Sequence, residues 1–291
     1  MNALSVNLHL LMISFFNPSK RKSKIMIEDN AFSSDRYVVN SHLKLHNLDE
    51  SSLILISSDN HLLLENKIIQ SIEKNKDELS LVLLPGIQYY SGQLIDLKKI
   101  SQVCHKNNIV LGVDYAHAIG NVQIDLSELQ IDFATWCSYK YLNSGPGSVA
   151  GVFIHEKHHK RKLERFAGWW GHNKESRFKM PDEFMPIETA EGWQLSNPPI
   201  LSLAAVRASL SIFDEVGMPA LVEKSKQLTS YLVFLLNQLP NDRIKIITPN
   251  ERGCQISLSV KNGDKNQCLL GVTGSGTVSY THLTLPTNRE V

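Results

Sequence analysis

The sequence predicts an α/β fold: a mostly parallel sheet covered by helices, followed by a smaller α+β unit. Three observations carry this. Short runs rich in Val, Ile and Leu alternate with helix-period segments between residues 23 and 156. Those runs are apolar almost throughout, as strands covered on both faces are. Beyond residue 199 the pattern changes to two long helices and then short strands. With 291 residues, 42% of them hydrophobic, the chain can bury one large core or two smaller ones.

The elements follow in order. Leu4, Leu8, Leu11, Met12 and Phe15 recur at helical spacing, and Pro18 follows them, which reads as an amphipathic helix. The apolar run "LHLLMISFF" is too short to span a bilayer, and its basic residues "KRKSK" come after it, the reverse of a signal peptide. Strands are expected in "SKIMIE", "SSLILIS", "ELSLVLLP", "NIVLGVD", "DFATWCS" and "VAGVFIHE". Helices are expected in "SDRYVVNSHLKLH", "HLLLENKIIQSIEKN" and "LIDLKKISQVCHKN". From Phe166 to Pro199 the chain is irregular and aromatic. Two helices, "ILSLAAVRASLSIFDEVG" and "ALVEKSKQLTSYLVFLLNQL", and two strands, "RIKIITP" and "GCQISLSV", come next. The closing stretch "GVTGSGTVSYTHLTLPTNREV" is rich in Thr, Gly and Ser without a period and reads as foreign to the fold. The expected division is a large domain over 1–199, a partial small domain over 200–268 and a disordered tail over 269–291.

Thirty basic and 29 acidic residues leave a net charge of +1, so charge gives no reason to expect a nucleic acid or an anionic membrane as partner. Cys104, Cys137, Cys254 and Cys268 are scattered without a CxxC pair, the pattern of reduced thiols in a cytoplasmic protein.

Ligands of such sheets bind beyond the carboxyl ends of the strands, and two of those ends carry polar punctuation, "VDYAHAIGN" and "SYKYLNSGPG". In the second, Lys140 stands between Tyr139 and Tyr141 at the end of an apolar strand. Desolvation there favours the neutral amine, a nucleophile suited to carbonyl chemistry; a lysine snorkelling to water is the plain alternative. Asp114 ends another strand, where a buried carboxylate needs a cationic partner or else caps the following turn. His117, three residues on, either rests near the same ligand or is a satisfied core histidine. An Asp and a Lys on successive strand ends, 26 residues apart, form the pair that pyridoxal phosphate (PLP) uses. A rival motif, "HEKHH", satisfies H-E-x-x-H with His155 and His159 and would imply a zinc hydrolase. It directly follows a buried strand, opens a run of bases that reads as a solvated surface helix, and brings no third ligand, so no metal is expected.

"LPGIQYYSGQ", "VDYAHAIGN", "DFATWCSYKYLNSGPGSVAGVFIHEKH", "GWWGH", "RFKM" and "LSNPPI" together resemble kynureninase, more closely the eukaryotic type, over residues 1 to about 260. The resemblance implies the fold-type-I architecture of PLP-dependent transferases and hydrolysis of L-kynurenine or 3-hydroxykynurenine. It makes Lys140 the cofactor-carrying lysine, Tyr139 its neighbour at the phosphate, and Asp114 the partner of the pyridine nitrogen, with His117 close by. Leu4 and Ser5 match the phosphate-binding helix start, although Ser5 alone could be a plain cap. "AFSSDRY" matches a Phe-Pro-Ser-Asp segment, implying Phe32 on the ring face, Ser33 (in place of the usual proline) and Ser34 along the cofactor, and Asp35 near the pyridine. Pro85 falls at a lining position. Trp169 and Asn197 complete the pocket from a partner subunit in a homodimer, although either Trp169 or its neighbour Trp170 could be core. A cysteine desulfurase or aminotransferase of the same fold is the alternative. Against the family's pattern, this chain begins at an internal helix and ends without the family's late arginine motif. The expectation is therefore a kynureninase chain cut short at both ends and weak in turnover, with its small domain frayed from about Asn262.

Overall fold

The apolar runs form one sheet from β1 (Lys24–Glu28), β2 (Leu53–Ile56), β3 (Leu79–Pro85), β4 (Val110–Asp114), β5 (Phe133–Trp136) and β6 (Gly151–Ile154). The computed structural model describes residues 1–239 and 244–260. The strand order is β2-β1-β3-β4-β5-β6, parallel throughout except for antiparallel β6. Alternate residues of each strand enter opposite cores. Ile25, Ile27, Leu81, Leu83 and Phe133 face α1 (Leu4–Phe15) and α2 (Ser33–Leu45). Met26, Val82, Leu84, Leu111, Val113 and Ala134 face α3 (Glu65–Asn75) and α4 (Leu97–Lys106). Both faces are thus covered, as the unbroken apolar runs require. At Gly112 an added Cβ would lie 2.2 Å from the Phe133 ring, so the β4–β5 pair closes only around a residue without a side chain.

Three expectations about the helices need correction. The first helix is more than amphipathic: Asn7, Leu10 and Ser14 are buried along with the predicted apolar stripe, and the Trp193 indole donates to Ser14 Oγ at 2.9 Å from 179 residues away. The helices expected from His61 and Leu94 begin later. α3 starts at Glu65, and α4 starts at Leu97, where the Asp96 side chain accepts the Lys98 N–H at 3.0 Å and fixes the start. The surface helix expected after β6 is a single 3-10 turn, Glu156–His158, followed by irregular chain. Its histidines turn inward: His158 pairs with buried Asp132 at 2.8 Å.

Beyond Pro199 lie α5 (Ile200–Val216) and α6 (Met218–Asn237), then an antiparallel pair, β7 (Ile244–Ile246) and β8 (Leu258–Val260). Gly217, at φ +80°, makes the corner between the helices. "GCQISLSV" supplies a strand only in its last three residues, because the earlier ones bond to the first sheet's loops. The Cys254 N–H donates to Asn121 Oδ1 at 2.9 Å, Gln255 Nε2 to the Tyr89 carbonyl at 2.8 Å, and Ser257 Oγ to the Tyr90 carbonyl at 2.6 Å. The expected fraying from Asn262 and the 269–291 tail lie outside the described residues. No helix among the described residues is long and apolar enough to cross a membrane.

Candidate functional site

The carboxyl edge of the sheet gathers Glu28 from β1, Pro85 from β3 and Asp114 from β4, the last two paired in register. The N-termini of α1 and α2 meet there. Neither helix has a side-chain cap, so their first N–H groups stay open to a ligand. The Ser5 and Ser34 hydroxyls touch across the two termini at 2.5 Å. The result is a cleft of about 210 Å³.

Lys140 enters this cleft on a rigid loop. Ser138 Oγ bonds to Ser148 Oγ and to the Val149 carbonyl at 2.8 and 2.7 Å, the Ser144 N–H bonds back to the Ser138 carbonyl at 3.0 Å, and the Asn143 N–H to the Lys140 carbonyl at 3.0 Å. Gly145 and Gly147, at φ +81° and +73°, take the left-handed conformations that let the loop return. Lys140 Nζ stands 5.6 Å from the centre of the Phe32 ring. The lysine is half-buried rather than sealed in, because the loop carries it past the strand end to the cleft mouth, beside exposed Tyr139.

The acids lie deeper. Burial, and then the neighbouring Asp114 carboxylate with which it shares a hydrogen bond, push Asp35 far above the ordinary aspartate range. Burial also raises Asp114, opposed by the Ala116 N–H and by Lys140. Asp114 Oδ1 accepts that N–H at 2.7 Å, so Asp114 both caps its turn and lines the cleft. Glu28, at the end of β1, is pushed up to about 7 by burial against a counteracting hydrogen bond from Gln88.

Ten of the residues singled out from sequence line this cleft together: Leu4, Ser5, Phe32, Ser34, Asp35, Pro85, Asp114, His117, Tyr139 and Lys140. Ser33 does not; as the first residue of α2 it is exposed. Trp169 and Asn197 are also outside it. Trp169 packs against Phe178 at 5.3 Å and donates to the Arg177 carbonyl, and Asn197 is exposed. Glu28, Ile87, Tyr89 and Ala116 line the cleft without having been singled out. Glu28 ends β1, and Ile87 and Ala116 stand two residues beyond the ends of β3 and β4; nearness to a carboxyl strand end is the signal that could have found these three. His155 and His159 do not converge on a common ligand. His155 Nδ1 accepts the Lys157 N–H, and His159 Nε2 bonds to the Ile154 carbonyl. Among the described residues no three potential ligands gather as a metal site.

A half-buried amine, a buried acid pair and two open helix N-termini in one cleft provide a nucleophile, a cation partner and an anion cradle. Comparison with known proteins agrees with the fold. The chain is 46% identical over 275 residues to "Kynureninase" of Koribacter versatilis, covering 92% of this chain and 65% of that protein. It is 48% identical over 269 residues to "Kynureninase" of Flavobacterium psychrophilum, covering 89% and 63%. It therefore spans less than two thirds of the length of these relatives. Among solved structures, a cysteine desulfurase from Thermococcus onnurineus superposes with a TM-score of 0.72 at 17% identity, over 90% of this chain and 63% of that one. The C-DES mutant with glycine covalently linked to its PLP cofactor superposes with a TM-score of 0.74 at 17% identity, over 89% and 67%. The match to the aminotransferase class-V family runs from residue 7 to residue 276, and the chain belongs to that family.

Proposed function

We propose that this chain carries the chemistry of kynureninase: PLP-dependent hydrolysis of L-kynurenine or 3-hydroxykynurenine to anthranilate or 3-hydroxyanthranilate and L-alanine. The observation that carries the reading is 46–48% identity to proteins named kynureninase, met by a cleft that joins Lys140, Asp114 and two open helix N-termini. The likeness to desulfurases, at 17% identity, is one of fold and names no substrate.

The residues of the cleft fit PLP. Asp35 Oδ1 is buried without a hydrogen-bond partner, and the Asp35–Asp114 pair lies where a protonated pyridine nitrogen would satisfy its charge. The N–H groups opening α1 and α2, with the Ser5 and Ser34 hydroxyls, suit a phosphate. Phe32 offers the ring face, Tyr139 reaches the phosphate, and Leu4, Pro85 and His117 close the walls. Bound there, the cofactor supplies the electron sink for breaking the substrate's Cβ–Cγ bond. Lys140 Nζ would be the amine that holds the cofactor and, when free, the base placed to take the substrate's Cα proton and return it. Asp114 keeps the ring nitrogen protonated, and water adds to the γ-carbonyl carbon. Trp169 and Asn197 serve the neighbouring subunit's cleft in a homodimer, and Ser33 lies at the edge of the cofactor site. The protein works in the cytoplasm, a reading supported by buried Cys104 and Cys137, both of them free thiols.

Borohydride treatment of the PLP-loaded protein should fix the cofactor on the peptide containing Lys140, and Lys140→Ala should lose both this attachment and the visible absorbance. Covalent uptake by Lys140→Ala would overturn the assignment of Lys140. Turnover of cysteine in place of kynurenine would overturn the substrate.

A further inference from the structure

We infer that Glu28 is a positioning residue of the cleft, holding the Tyr89–Phe32 wall in place through a hydrogen bond to Gln88. The inference rests on the reading that this cleft takes PLP. Glu28 is 2% exposed, yet it lines the main cleft and also a second cavity of about 230 Å³ that includes Asn30, Ser58 and Tyr90. It therefore stands in the partition between the two spaces. Its partner has no freedom to turn. Gln88 Oε1 accepts the N–H groups of Tyr90 and Ser91 at 2.7 and 2.8 Å and the Ser91 hydroxyl at 3.2 Å, so Nε2 must face Glu28 Oε2, at 3.3 Å.

The turn closed in this way carries Tyr89, whose ring meets Phe32 edge-on at 5.4 Å and 76°. The far side of the turn is held by Gln255 and Ser257, which donate to the Tyr89 and Tyr90 carbonyls. Release of the Glu28 end would remove the bond that ties the Gln88 side chain to β1, leaving the turn on its internal bonds and on Gln255 and Ser257, and the aromatic wall less firmly set against Phe32. A carboxyl at this buried strand end also costs desolvation that an apolar residue would avoid, so packing alone does not account for it.

The full chain loaded with PLP is compared as wild type, Glu28→Leu, Gln88→Leu, the double variant and Glu28→Gln. The PLP dissociation constant is read by absorbance titration, and the ring environment by the visible circular dichroism of bound PLP. Each Leu variant should weaken binding by about tenfold or more and reduce the dichroic band, with the double variant no worse than Gln88→Leu alone. Glu28→Gln, which still offers an acceptor to Gln88, should restore both readouts to within about twofold of wild type. Unchanged binding in Glu28→Leu, or losses that add in the double variant, overturn the inference. If Glu28→Leu does not fold, Gln88→Leu decides: unchanged affinity and dichroism there overturn it. A wild-type chain that takes up no PLP overturns the cofactor reading itself, and this inference with it.

Discussion

Three carboxyl groups, Glu28, Asp35 and Asp114, share the cleft with Lys140, and burial decides how many protons they hold. For Glu28 the consequence is measurable. Its folded value of about 7 lies above the ordinary 4.5, so the folded protein binds the extra proton between those two pH values. Stability is then greatest below about 4.5 and falls as pH rises to about 7, by roughly 3 kcal/mol at most from this group. Glu28→Gln removes that dependence while Asp35 and Asp114 keep theirs. Urea unfolding of the two proteins should show the variant gaining on wild type between pH 5 and pH 8; a constant difference would refute it. The position of Glu28 at the end of "SKIMIE" places it at the ligand-binding edge, but its burial is not legible there, because a strand-end acid reads as solvated until the loop carrying Gln88 closes over it. Asp114 and Lys140 were legible because each breaks an apolar run at a carboxyl end, where sheets of this type bind ligands.

At the scale of elements, the opposite edge of the sheet is held by the segment that mimics a zinc motif. Asp132, ahead of β5, accepts from the Leu111 N–H, His158 and Lys157 at 2.8, 2.8 and 2.7 Å. Burial alone would raise this carboxyl, but those bonds outweigh it and hold it at about 2. Its contribution is fully present above the unfolded value near 3.8 and is lost as pH falls through about 2. Asp132→Asn should therefore cost on the order of 2 kcal/mol at pH 7 and almost nothing at pH 2. Equal loss at both pH values in urea titrations would show that the bonds, and not the charge, matter. The strands and main helices were legible from period and composition. The turn after β6 was not, since its basic residues look solvated and only the tertiary placement of Asp132 draws His158 inward. The anion cradle was half legible: Ser5 and Ser34 lie on separate helices, and sequence spacing does not show that their termini converge.

At the scale of the whole molecule, Trp169 and Asn197 stand apart from the cleft that the sequence led us to expect them to line. In one chain they stand outside the cleft, and Trp169 belongs to an irregular segment that leaves Phe178 and Met180 at 78% and 72% exposure. Large aromatic and thioether side chains that exposed, clustered on one segment, are characteristic of a surface that another chain covers. In a two-fold dimer that set one subunit's Trp169 against its partner's cleft, symmetry would make the exchange mutual. Sedimentation of the PLP-loaded chain at micromolar concentration should then give a dimer, and Trp169→Ala should weaken PLP binding about tenfold, as loss of an aromatic anchor does at an interface. The two measurements constrain each other. In a monomer Trp169 stays beside Phe178, away from Lys140, and its truncation cannot reach the cofactor directly. A monomer whose PLP affinity ignores Trp169→Ala would sink the shared site. A dimer with the same indifference would keep the assembly but remove Trp169 from the cleft.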